Sequence, residues 1–346
     1  MKELILILPN EPSFLLNKMI EATLDQSDYK VIRSYNEITN LQNKKIIFAI
    51  ELNEIGTSNT LNSIFEELYK IGRNSLENSE GCILIHTKYN SFTKTLAQNI
   101  IYLSNNLGCS FEGRAFVEAT GNLDNFIPMQ VIYKLSLEEI CLKKCKELGD
   151  KFLLNSQYAR NRKLLLLHSS DKETSNTLRL WEMVKTHLID MDINEIYLGN
   201  GSILDCNGCS YKTCKYYGKQ NKCYYGGIVV EEVYPAILEA STVVLLCPNY
   251  NDMLPANLVA TINRLTALFR MTKFYDKNIY SIVVSGYSGG DALVRQIISS
   301  LNMNKTFNLP PYFSLLATAN DKDSIYKIEN IQELAMNFAS NILKNN

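Results

Sequence analysis

A surplus of charge is missing from this chain: 35 Lys plus Arg stand against 36 Asp plus Glu, for a formal net charge of -1. Sequence-independent binding of nucleic acid or of an anionic membrane draws on excess positive charge, so neither is expected. No run approaches the ~20 apolar residues that a bilayer-spanning helix needs. The opening Met1-Lys2-Glu3 and Leu4-Ile5-Leu6-Ile7-Leu8 has too short an apolar stretch for a signal peptide and lacks a small-residue cleavage site. It reads as a buried strand, and the expectation is a soluble, cytoplasmic protein. Histidine is scarce: His86, His168 and His187 show neither triad nor metal-ligand spacing. Nine cysteines in a chain of 346 residues, with no export signal expected, do not indicate a disulfide framework.

What is present describes an ordinary globular protein, 46% hydrophobic and 21% charged. At roughly 150 residues per domain the length predicts two domains. The halves repeat each other. Leu4–Leu8 matches Leu164–His168, Cys82–Asn90 matches Val243–Asn251, and Ala115–Gly121 matches Tyr280–Gly286. The helix opening at Ser136 echoes the one opening at Asn330. Short apolar runs alternating with amphipathic helices indicate parallel sheets covered on both faces. The second half has strand candidates at about 163–168, 194–199, 242–247, 279–285 and 313–318. The expected fold is two tandem flavodoxin-like, doubly wound α/β domains of strand order 2-1-3-4-5. Residues 1–157 form a degenerate copy and 158–346 the functional one, with a cysteine-rich insert at 205–223. The boundary lies in the polar stretch 155–162.

In such a sheet ligands sit beyond the carboxyl ends of the strands, beside the first strand of the domain. The second half offers Ser169-Ser170-Asp171-Lys172-Glu173-Thr174-Ser175-Asn176-Thr177 there, rich in donors and leading into a helix whose N-terminus favours an anion. Asp171 and Glu173 count against a phosphate unless they point away. As ordinary turn and cap residues the same stretch needs no ligand. The first half offers Pro9-Asn10-Glu11-Pro12-Ser13, in which two prolines remove donors and Glu11 repels an anion.

With these loops in view, the second half resembles the NADPH-dependent FMN reductase and iron-sulfur flavoprotein families over about residues 163–318. The resemblance rests on Ser169–Thr177, on Cys247-Pro248-Asn249-Tyr250-Asn251-Asp252-Met253 with Asn263-Arg264 one helix later, and on Lys277 and Ser285-Gly286-Tyr287-Ser288-Gly289-Gly290. The first loop departs from the family pattern in lacking its glycine and proline. The resemblance implies that Ser170, Lys172, Ser175, Asn176 and Thr177 hold an FMN phosphate. It implies that Pro248, Asn249, Tyr250, Asn251, Asp252, Met253, Gly286, Tyr287, Gly289 and Gly290 line the isoalloxazine. The implied activity takes electrons from NAD(P)H through FMN to a small-molecule or protein acceptor, with no catalytic side chain; the alternatives are an iron-sulfur flavoprotein in electron transfer and a non-enzymatic flavodoxin-like binding module. It also implies either a homodimer or a pseudo-dimer between the two halves.

Cys82, Cys109, Cys141, Cys145 and Cys247 lie in apolar or helical surroundings, where cysteine behaves as a small hydrophobe. Cys206, Cys209, Cys214 and Cys223 crowd into one polar segment after the second strand, on the same sheet edge as the flavin loops. Four thiolates suit a [4Fe–4S] cluster, as the iron-sulfur flavoproteins imply, although the spacing is wider than theirs. Zinc and a metal-free thiol cluster remain open. The interleaved lysines and tyrosines of 211–225 read as a solvated loop around that site, not as a nucleic-acid platform.

Overall fold

The computed structural model describes residues 2–154, 160–171, 173–199 and 203–346. Lys172, assigned above to the phosphate, lies outside the described residues, as do 155–159 of the boundary stretch. The chain divides into two compact units, Met1–Gln157 and Tyr158–Asn346.

The first unit runs β1 (Glu3–Ile7), α1 (Phe14–Leu24), β2 (Lys30–Ile32), β3 (Lys44–Leu52), α2 (Asn59–Ile71), β4 (Ser79–Thr87), α3 (Thr93–Asn105), β5 (Cys109–Thr120), α4 (Ile127–Tyr133) and α5 (Leu137–Leu153). Its strands form a parallel sheet of order β2-β1-β3-β4-β5. The central strands are buried on both faces because helices cover each side, which is why they read as continuous apolar runs. Ser136 opens α5 with a capping box, its hydroxyl accepting from Glu139 N while Glu139 reaches back to Ser136 N. α5 lies against α1 so closely that a Cβ on Gly149 would stand 2.0 Å from Thr23 O.

The second unit runs β6 (Lys163–His168), α6 (Asn176–Lys185), β7 (Asp192–Tyr197), α7 (Tyr211–Gly218), α8 (Tyr234–Glu239), β8 (Thr242–Pro248), α9 (Ala256–Phe269), β9 (Asn278–Ser285), α10 (Gly290–Ile297), β10 (Ser314–Thr318) and α11 (Ile331–Lys344). Its sheet is parallel, of order β10-β9-β8-β6-β7. Every residue of β8 and β9 is buried. β6 pairs with β7 on one side and β8 on the other, which puts the topological switch point beside the end of β6. Both units therefore have the expected doubly wound flavodoxin-like topology. Among the described residues no helix is long and apolar enough to cross a membrane.

One part of the expected repeat is corrected. By position in the sheet, Cys82–Asn90 belongs with β9 and Ala115–Gly121 with β10, one strand later than the matches above. The cause is β2, a three-residue edge strand that starts on an exposed lysine and has no apolar run to announce it. The apolar run Lys45–Ile50 lies in the central strand β3, the counterpart of β8.

Candidate functional site

The loop from β6 to α6 closes on itself. The Asp171 carboxylate turns back on its own loop, where Oδ1 accepts from Glu173 N (2.9 Å), Thr174 N (3.2 Å) and Thr174 Oγ1 (3.2 Å). Those bonds, first the one from Glu173 N and then those from Thr174, hold its carboxyl below the usual range. Ser175 caps α6 by accepting from Leu178 N at 3.2 Å. Asn176 donates its amide to Ala319 O (3.2 Å) and Asp321 O (2.7 Å), tying the start of α6 to the loop after β10. Arg179 reinforces the tie through Asp323 and the carbonyls of Ser175 and Glu173. The N–H groups of Asn176 and Thr177, in the first turn of α6, have no acceptor within the helix. The Ser170 hydroxyl is fully buried with no hydrogen-bond partner among the described residues. His168, at the end of β6, is buried with its ring 5.3 Å from that of Tyr197.

The loops after β8 and β9 form one body because Asn249 binds them together. Its amide donates to Asp252 Oδ1 (3.1 Å), Ser285 Oγ (3.1 Å) and Ser288 O (2.9 Å), and its Oδ1 accepts from Asp252 N (2.8 Å). Asn251 and Asp252 both take left-handed backbone, as Asn and Asp tolerate. Gly289 has φ +84, and a Cβ there would stand 1.8 Å from Asp252 Oδ1. Gly286 is crowded in the same way by Asn320 Oδ1, at 2.9 Å. Gln296, unread in the sequence, accepts from Leu254 N (3.3 Å) and donates to Asp252 O (2.9 Å). Its signal was only a polar residue on an amphipathic helix. This body holds Tyr250, Met253 and Tyr287 out into solvent, 60%, 57% and 82% exposed. Pro248 ends β8 inside the core, and Gly290 opens α10. Beside Ser285 and Ser288 lies a depression of about 360 Å³, walled by Leu316, Ile328, Ile331 and Leu334. The sequence reading gave no hint of it.

Cys206, Cys209, Cys214 and Cys223 all line one pocket of about 120 Å³, together with Tyr217, Tyr224, Tyr225 and Arg264. The pocket forms where α7 packs on α9; a Cβ on Gly218 would stand 2.4 Å from Ala267 O. All four are free thiols, and Cys209 Sγ lies 3.8 Å from Tyr225 Oη. Among the described residues no group of three or more His, Cys, Asp or Glu is assembled to hold a metal ion. The four thiols thus share a pocket without closing on a point. By contrast, burial pushes the Cys82, Cys109 and Cys247 thiols up and keeps them protonated, as befits core residues.

The corresponding loop of the first unit is differently furnished. Ser13 caps α1 through its hydroxyl, and its N–H donates to Glu51 Oε2 at 3.1 Å. His86 Nδ1 lies 2.7 Å from Glu51 Oε1 and 2.9 Å from Ser13 Oγ. Burial pushes the Glu51 carboxyl up, but bonds from His86 and Ser13 outweigh it and hold it below the usual range. A carboxylate, with its donors already engaged, stands at this unit's strand ends.

The second unit is a doubly wound flavodoxin-like domain whose loops gather at the switch point of its sheet. Residues 162–321 match the family model of the NADPH-dependent FMN reductases. Among solved structures the chain is similar to the azoreductase from Bacillus anthracis str. Sterne, at 15% identity over 53% of this chain and 99% of that one, with a TM-score of 0.39. It is similar to the rubredoxin oxygen:oxidoreductase from the anaerobe Desulfovibrio gigas at 13% identity and a TM-score of 0.34, over 60% of this chain but only 41% of that one. The flavodiiron protein from Giardia intestinalis matches at 8% identity over 61% of this chain and 42% of that one, with a TM-score of 0.33. No curated protein matches the sequence.

Proposed function

We propose that the second unit binds FMN and acts as an NAD(P)H-dependent flavin oxidoreductase that passes electrons to a small acceptor. The family match supports the coarser statement, a flavin-dependent oxidoreductase. The observation that carries the finer one is the buried Ser170 hydroxyl, without a partner among the described residues, beside the open N-terminus of α6 at the switch point. An unpaired buried hydroxyl costs stability, and a phosphate ester would accept from it and from the N–H groups of Asn176 and Thr177. Asn176 serves through its backbone, since its side-chain amide is spent on the 319–321 carbonyls. Ser175, Thr177 and Lys172 complete the assignment.

FMN held there would supply the redox chemistry, accepting electrons from a nicotinamide and delivering them onward. The protein's part is to bind and orient. Pro248 and Asn249 fix the first ring loop, and Gly286, Gly289 and Gly290 let the second approach it. Exposed Tyr250, Met253 and Tyr287 offer apolar faces for a flat heterocycle, and Asn251 and Asp252 present backbone at its polar edge. The first unit is denied this role by Glu51, which repels a phosphate and engages Ser13 N. The test is titration of FMN with the intact protein, followed by NADH and NADPH oxidation. Saturable quenching that weakens on Ser170→Ala supports the assignment; quenching indifferent to that change sinks it.

A second reading is favoured by the four-cysteine pocket: an iron-sulfur flavoprotein with a [4Fe–4S] cluster on Cys206, Cys209, Cys214 and Cys223. A water-sized occupant needs only about 10–15 Å³, so a pocket of about 120 Å³ suits a group of several atoms better than a lone zinc ion. Four thiols are the donor set such a cluster takes. Iron and sulfide analysis after anaerobic purification tests it, and a chain free of both would rule it out.

A further inference from the structure

Arg264 is buried, 3% exposed, inside α9. Its Nη1 donates to Leu204 O at 3.4 Å and its Nη2 to Gly226 O, so it clasps the two flanks of the cysteine segment. Among the described residues its Nε has no partner and no carboxylate pairs with it. A guanidinium cannot shed its charge. Buried without an anion, it is left with an uncompensated charge. The same side chain lines the pocket of the four cysteines. Arg270 also borders that pocket, but its guanidinium lies over the Tyr211 ring at 4.8 Å, so it already has a partner.

We propose that Arg264 is the counter-charge of an anionic tetrathiolate centre in this pocket, a positioning residue that strengthens metal retention and raises the reduction potential. The inference rests on the iron-sulfur reading above. Four thiolates outweigh the positive charge of the cluster they hold, so the loaded centre is a net anion. One-electron reduction adds a further negative charge, which a guanidinium stabilises more than it stabilises the oxidised form. The partnerless Nε is also a donor for a cysteine or cluster sulfur.

The experiment compares the intact protein with Arg264→Gln and Arg264→Lys, all purified anaerobically. Iron and sulfide per chain are measured, then the potential by spectroscopic redox titration. Arg264→Gln is expected to lower the reduced-to-oxidised ratio at a fixed potential about tenfold, about 59 mV for one electron. Arg264→Lys, which keeps charge but not the two-pronged clasp, is expected to stay near wild type. Full iron with an unshifted potential in Arg264→Gln overturns the inference and leaves the cluster standing. If Arg264→Gln comes out without iron, the lysine variant decides. Iron and potential near wild type support the counter-charge, whereas loss of iron in both variants makes Arg264 a clasp and overturns it. A wild-type protein holding zinc or no metal overturns the cluster reading itself, and the inference falls with it.

Discussion

Replacing Ser170 by alanine should move stability and flavin affinity in opposite directions. The Ser170 hydroxyl is fully buried and, among the described residues, has no hydrogen-bond partner. Leaving such a group unsatisfied costs about 1–3 kcal/mol. Removing it relieves that cost at the expense of a void of one oxygen atom, so the flavin-free protein should be unchanged or stabilised, by up to about 2 kcal/mol. With FMN bound the hydroxyl donates to a charged phosphate, a bond worth about 1.5–3 kcal/mol. Its loss should weaken binding about 10- to 150-fold, at 1.4 kcal/mol per factor of ten. Urea denaturation with and without FMN gives the first quantity, and fluorescence quenching gives the second. A variant that is destabilised while binding FMN as well as wild type would refute the reasoning, because Ser170 would then be an ordinary core residue.

Other outcomes follow from the same geometry. Gly289→Ala places a Cβ 1.8 Å from Asp252 Oδ1 at a φ of +84. Left-handed strain of about 1–2 kcal/mol and one lost hydrogen bond of about 1 kcal/mol should together remove about 2–3 kcal/mol, shared between folding stability and FMN affinity; a total near zero counts against the ring-loop geometry. Gly149→Ala sets a Cβ 2.0 Å from Thr23 O, and overpacking of about 1–3 kcal/mol should appear as an earlier unfolding transition with FMN affinity intact. Glu51 titrates below its ordinary value, so its stabilisation is complete above the unfolded-state pKa and disappears as pH falls through the lower folded-state value. Glu51→Gln should therefore flatten the acid limb of a stability-against-pH curve, and an unchanged limb would contradict the assignment.

The central strands were legible because both of their faces are buried, so composition alone marks them. The edge strand Lys30–Ile32 was not, since three residues running from exposed Lys30 to buried Ile32 are too few to show a period, and its omission slid the repeat by one strand. In the loops, residue types pointed to the right places but not to the partners. Asn176 reads as a phosphate donor, yet its amide holds carbonyls 143 and 145 residues away. Asp171 reads as a repulsive charge, and instead it caps its own loop. Asn249, Gln296 and Arg264 act through contacts between loops distant in sequence, which spacing cannot encode. The cysteines were visible as a group, but that all four border one pocket with a buried guanidinium is a property of the packing of α7 on α9.

The most direct measurement is an equilibrium titration of FMN with the intact chain, followed by flavin fluorescence and by the absorbance of added NADPH. Saturation is expected at one FMN per chain, with loss of NADPH absorbance only when flavin is bound. Fluorescence that stays unquenched at every protein concentration would contradict it.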